Sequence, residues 1–271
     1  MRARSEPRRA ARRLLAGLLL AGALSTLPAQ AGQACADKPL SAGEVVRSMD
    51  LAQRTVQALE DSGARVVLVS RAGQDLSRYG LRYSHMGVAV RDHPRGRWTV
   101  VHELNDCGTA ASGLYYEGMG NFFLTDLHRF EAQVIIPGAA LQERLAALFA
   151  TRTPLRLHEP RYNMVAYVYS TQYQNSNQWV LETLAAASAP PGEVATREEA
   201  QGWLKEMRYQ PTTLAIPAST RLGGRMFRAN VAFDDHPFDR RMAGQIDTVT
   251  TDAVRKLVRA VDPQARTLVV D

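Results

Sequence analysis

The sequence predicts a single α+β domain built as an antiparallel sheet packed with helices, and three observations carry that expectation. Short β-branched runs and amphipathic helical segments are interspersed along the whole chain. Two of the runs are joined by a tight turn, which makes them antiparallel neighbours. No repeat or low-complexity tract divides the 271 residues, and the best linker candidate, "APPGE" at 189–193, is too short to mark a boundary.

The first residues are read separately. Arg2, Arg4, Arg8, Arg9, Arg12 and Arg13 are offset only by Glu6, and an apolar run from Leu14 to Leu27 leads to Ala29-Gln30-Ala31. Basic, apolar and small-x-small in that order describe a secretory signal cleaved after Ala31. Residues 1–31 are therefore expected to be removed, leaving 32–271 as one exported domain, periplasmic or secreted. The apolar run is too short for a comfortable membrane span, and nothing later approaches one. Cleavage also lowers the formal charge from +6 to near +1, with 27 basic against 26 acidic residues. A nucleic-acid partner is accordingly not expected. The two cysteines, Cys35 and Cys107, can pair once exported. Closing so long a loop would contribute about 4 kcal/mol; two free thiols are the alternative.

Within the domain, Ser41-Ala42-Gly43-Glu44 forms a capping box. Val45, Val46, Met49, Ala52, Val56 and Leu59 then recur at helical spacing until Asp61-Ser62-Gly63 stops the helix. "ARVVLVS" (64–70) reads as a buried strand. "LRYSHMGVAV" and "RWTVVHEL" are strands on either side of the turn "RDHPRG". The stretch 109–130, "TAASGLYYEGMGNFFLTDLHRF", reads as irregular with a short helix. "AQVIIP" is a strand and "LQERLAALFAT" an amphipathic helix, and Thr196 to Glu199 is a second capping box. Further strands are expected at "RMFRANVAF", "QIDTVT" and "RTLVV", with the helix "DAVRKLVRAV" before the last.

Chemistry concentrates where "YQNSNQWVLETL" (173–184) runs from polar residues into a helical pattern. Asn175 suits the N-cap, and Gln178 stands where a capping-box partner belongs. Ser176, Trp179, Val180, Thr183 and Leu184 share one face, with Asn177, Gln178 and Glu182 on the other. Ser176 thus points inward from the first turn, where free N–H groups make the field positive and can receive an oxyanion. Spacing alone more readily describes a small residue packed against Trp179.

Two histidines lie on the hairpin. If 93–96 form the turn, Asp92 pairs with Arg97, and His102 sits diagonally from His85 on one side of the sheet. A slip of one residue would bring Glu103 there instead. Either would orient His85 as a general base needs, whereas a lone strand histidine is more often structural. Asp234-Asp235-His236 reads as a turn rather than a metal site. HExxH, paired CxxC, a glycine-rich phosphate loop and GxSxG are all missing, so no metal or cofactor is expected.

"YSHMGVAV" early and "YQNSNQWVLETL" late resemble the circularly permuted branch of the papain-like fold, which includes lecithin:retinol acyltransferase-like proteins and permuted NlpC-type hydrolases. The resemblance implies His85 as base, Ser176 in the nucleophile position after Asn175, and His102 as third polar residue. More of the chain is similar to an uncharacterised bacterial family, domain of unknown function 2145. That similarity rests on "GLRYSHMGVAVRD", "RWTVVHELNDCG", "LYYEGMGNFF", "YQNSNQWVLE", "MFRANVAFDDHP" and "TVTTDAV". Its pattern carries Cys where this chain has Ser176. A serine does not ionise as a cysteine does and needs concerted proton removal. Two readings follow: an amide or ester hydrolase or acyltransferase using Ser176 with His85, on cell-wall peptides or lipid-type acyl groups, or a ligand-binding protein that has lost catalysis. In the second, Tyr115, Tyr116, Phe122 and Phe123 would line the groove, although core packing is the commoner fate of such a cluster. The oligomeric state is not legible.

Overall fold

A computed structural model describes residues 39–271. The signal segment 1–31 and Cys35 lie outside the described residues. The chain forms one mixed α+β unit. Its centre is a six-stranded antiparallel sheet in the order β4-β3-β2-β1-β5-β8. The strands are β1 (Val66–Ala72), β2 (His85–His93), β3 (Gly96–Asn105), β4 (Ser112–Glu117), β5 (Arg129–Ile136) and β8 (Arg266–Val270). A two-stranded ribbon, β6 (Thr212–Ala215) with β7 (Gln245–Thr248), stands apart.

Helices cover both faces, as strands with near-continuous apolar runs require. On one face lie α1 (Ala42–Ser62) and the single turn α2 (Met119–Phe123), packed over Val67, Val69, Ala89 and Val100. On the other lie α3 (Ala139–Phe149), α5 (Ser176–Ser188), α6 (Arg197–Glu206) and α9 (Thr251–Val261), over Leu68, Met86, Val88 and Val101. The alternation along β1 and β2 therefore feeds two cores at once. Short helices α4 (Thr153–Arg156), α7 (Ala218–Phe227) and α8 (Phe238–Met242) complete the chain. Among the described residues no helix is long and apolar enough to cross a membrane.

The capping boxes at Ser41 and Thr196 form with both hydrogen bonds, and the turn register holds with Asp92↔Arg97 and Val88↔Val101. Two expectations need correction. Residues 112–117, read as irregular, are an edge strand whose register comes from β3, with His102↔Tyr115 and Val100↔Glu117. Pairing with a partner, not local propensity, makes that strand. "RMFRANVAF" is not a strand: α7 starts after Pro217 and runs to Phe227, and Arg228 N–H still bonds Gly224 O.

Candidate active site

Strand order assembles the site. Arg71 pairs with His85 across β1 and β2, and Glu117 pairs with Val100, two residues before His102 on β3. With a side-chain period of two, Glu117, His102, His85 and Arg71 occupy one face of four neighbouring strands. Gly87 makes room for the row. A Cβ there would lie 2.7 Å from Val100 Cγ1 and 3.0 Å from His102 Cβ. Helix α5 approaches from the opposite face, and its first residue, Ser176, reaches the end of β2 where His85 begins that strand. Asn177 Nδ2 donates to Ser84 O at 3.3 Å, joining helix start to strand start.

The result is an unbroken chain of four side chains. Ser176 Oγ lies 3.0 Å from His85 Nδ1, and His85 Nε2 lies 2.8 Å from His102 Nδ1. His102 Nε2 lies 3.0 Å from Glu117 Oε2. The hydrogen bond from His102 holds the Glu117 carboxyl below the usual carboxylate range, outweighing its partial burial. An ionised carboxylate only accepts, so His102 Nε2 must donate to it. His102 Nδ1 is then an acceptor, His85 Nε2 donates to it, and His85 Nδ1 is left to accept the Ser176 hydroxyl proton. One charge at Glu117 thus orients the whole row.

Burial, and then the positive charge of Arg71, lower the His85 pKa well below the ordinary imidazole value. His102 is lowered by burial too, against the opposing pull of Glu117. Both rings are neutral at neutral pH, the state a proton acceptor needs. Phe122 packs against them, its centroid 5.9 Å from the His85 ring and 5.3 Å from the His102 ring. Phe122 and Phe123 are fully buried here, which corrects their expected place in a ligand groove. Tyr115 is exposed.

Asn175 caps α5: its Oδ1 accepts Gln178 N–H at 2.9 Å and its Nδ2 donates to Thr248 Oγ1 at 3.0 Å. The capping-box partner expected at Gln178 does not form. Gln178 Nε2 instead donates to Glu182 Oε1 at 3.2 Å. Ser176 is 5% exposed and lines a cleft of about 400 Å³ with His85, Asn175, Asn177, Tyr162 and Arg71. The Ser176 N–H lies in the first helical turn, without an intrahelical acceptor. Burial raises the Tyr162 phenol pKa, although the Ser176 hydroxyl and amide both ease its ionisation. That phenol lies beside the serine.

Glu103, the alternative partner for His85, faces the other way. It accepts from Ser112 Oγ at 2.8 Å, and its Oε2 has no partner among the described residues. Burial pushes its carboxyl up to about 8. Between the ordinary value of about 4.3 and that value, the native state keeps a proton that the unfolded chain has lost. Stability therefore falls as pH rises through this window. Glu103→Gln removes the titration and keeps the acceptor for Ser112. Its melting temperature should exceed that of the parent by the largest margin near pH ~8, with the margin closing towards pH ~4. A margin independent of pH in thermal melts would contradict this.

Cys107 takes part in a disulfide, and Cys35, the partner considered from the sequence, lies outside the described residues. Asp234-Asp235-His236 is a turn: Asp235 accepts Tyr167 N–H at 2.8 Å and lies 2.9 Å from His236 Nδ1. Among the described residues no cluster of His, Cys, Asp or Glu could hold a metal ion. The sequence by itself does not place Glu117, and no local pattern singles out Arg71 or Tyr162. Glu117 closes the strand that was read as irregular, so the missing signal was a pairing partner.

A family model described as an uncharacterized protein conserved in bacteria, domain of unknown function 2145, matches residues 58–258. No curated protein and no solved structure matches the chain.

Proposed function

The chain belongs to this uncharacterized bacterial family, and from that premise we propose an exported amide or ester hydrolase or acyltransferase with Ser176 as nucleophile. The observation that carries the reading is the Ser176–His85–His102–Glu117 row with its single consistent direction of hydrogen bonds. Ser176 Oγ attacks the substrate carbonyl while His85 Nδ1 takes its proton. The imidazolium that forms is stabilised through His102 by the Glu117 carboxylate. The tetrahedral oxyanion is received by the Ser176 N–H and the Tyr162 hydroxyl. His85 then returns the proton to the leaving amine or alcohol, and water or an acceptor alcohol releases the acyl group by the same steps in reverse.

The permuted papain-like fold belongs to this proposal. A histidine on a sheet strand facing a nucleophile at the start of a later helix supports it. Serine then stands where that resemblance implies cysteine. The neutral, buried His85 supports a concerted serine mechanism, since no standing thiolate is needed. The arginine-rich, apolar opening of the chain supports export.

A fluorophosphonate tests the reading without a substrate, because it phosphonylates only an activated serine. Intact mass and peptide mapping should find one adduct, on Ser176, absent from Ser176→Ala. An unlabelled wild-type protein would remove Ser176 as nucleophile and leave the cleft as a ligand site.

A further inference from the structure

The cleft at Ser176 holds one cation, Arg71, among neutral amides. Gln74, Asn105, Asn175, Asn177 and Asn230 also line it. Arg71 stands next to His85 across the strands, donates to Phe122 O, and lies with its guanidinium carbon 4.8 Å from the Phe122 ring centroid. A guanidinium has five donors. No carboxylate lies within ion-pair distance of Arg71 among the described residues. The acids that share the cleft do not answer its charge: Glu103 is turned into the core and Asp126 is exposed on the rim. Glu117, whose charge Arg71 does feel, is committed to His102. No Arg71 nitrogen is among the buried atoms left without a partner, so the donors not spent on Phe122 O face the cleft, where a carboxylate can meet them in one plane.

A second cavity of about 640 Å³ adjoins this cleft and shares Gln74, Ser84, Met164 and Asn177 with it. Its walls are more apolar than polar, with Leu81, Tyr83, Val165, Ile216, Phe233 and Val249 beside polar residues such as Asp75 and Thr248. Arg78 and Arg228 reach only its exposed rim. At the junction, Asn177 Oδ1 is buried without a hydrogen-bond partner among the described residues. An acceptor in that place suits an N–H.

We propose that the site takes an acylated amino acid, with its acyl group in the apolar cavity, its amide N–H on Asn177 Oδ1 and its carboxylate on Arg71. This deepens the hydrolase reading by naming the substrate class, and it rests on that reading only for the fate of the amide bond. Attack by Ser176 would break the C–N bond, leave the acyl group on Oγ and release the amino acid with the proton carried by His85. Water would then free the fatty acid. One planar cation suits a carboxylate; a phosphate dianion would call for more positive charge than this cleft holds.

Binding to Ser176→Ala separates recognition from turnover. Calorimetric titration with N-octanoylglycine should give saturable binding. N-octanoylglycinamide, which replaces only the carboxylate, should bind at least ~10-fold more weakly. N-acetylglycine should also bind more weakly, because it leaves the apolar cavity empty. Arg71→Gln in the same background should bring the glycine and glycinamide affinities together, and Arg71→Lys should restore part of the difference. The rim arginines are untouched by these changes, so a preference surviving Arg71→Gln would overturn the assignment. If Arg71→Gln does not fold, equal binding of the two ligands to Ser176→Ala would overturn it just as well. Loss of fluorophosphonate labelling with the carboxylate preference intact would sink the hydrolase reading alone. Labelling without the preference would sink this one alone.

Discussion

Replacing Arg197 with alanine should destabilise the fold by about 3–5 kcal/mol, the cost of leaving a buried charge without its partner. Glu182 is fully buried in α5, and its pKa is raised by burial against the opposing charge of Arg197. Arg197 Nε donates to Glu182 Oε2 at 2.8 Å and its Nη2 to Oε1 at 3.1 Å, a two-point grip. Gln174, Gln178 and Gln201 supply further donors to the same carboxylate. The guanidinium also donates to the carbonyls of Thr171 and Tyr173 at 3.0 Å each. Those carbonyls belong to the segment that delivers the chain to Asn175 and Ser176, so the pair also sets where the helix begins. Denaturant melts of Arg197→Ala should show the loss, and Arg197→Lys should recover only part of it, because an ammonium cannot grip both oxygens in one plane. A loss under ~1 kcal/mol would put the pair in the class of surface ion pairs.

Removing the His85 imidazole should slow phosphonylation of Ser176 by about 10²–10⁴-fold, the usual worth of a positioned general base. Only the neutral ring can accept the serine proton. Since burial and Arg71 lower the His85 pKa well below the ordinary value, the wild-type labelling rate should hold on the acid side of pH ~6.5 and fall only further down. Arg71→Gln removes a charge that opposes the imidazolium, so its acid limb should move to higher pH. Glu117→Gln should move the limb the other way, because a carboxylate that favours the cation through His102 is gone. Rates of adduct formation across pH, followed by intact mass, give all three limbs. A wild-type limb at the ordinary imidazole value would contradict the assigned environment.

The Arg197–Glu182 pair and the histidine row differ in how far they could be read from the sequence. Around the row, local rules reached a long way. The start of α5, with its Asn175 cap, follows from a polar residue preceding a helical pattern. His85 and His102 fall on one face once the turn between β2 and β3 is located, since pleating and a two-residue period leave no freedom. The capping boxes of α1 and α6 are equally local. The same rules failed at Gln178 and Glu182. A helix covered on all sides has no solvent face, so Glu182 meets Arg197 from α6 instead of water, and Gln178 donates to Glu182.

By itself the sequence determined the α+β class, the position of the hairpin turn, and the start of the helix that opens at Ser176. These depend on hydrogen bonds and spacings within a few residues of chain. Only the tertiary structure decided that β4 would add Glu117 beyond His102, that β1 would set Arg71 beside His85, and that an apolar cavity would open next to the serine. Which strand lies next to which is settled by the burial of two faces at once, and that free energy belongs to the assembled sheet rather than to any one segment.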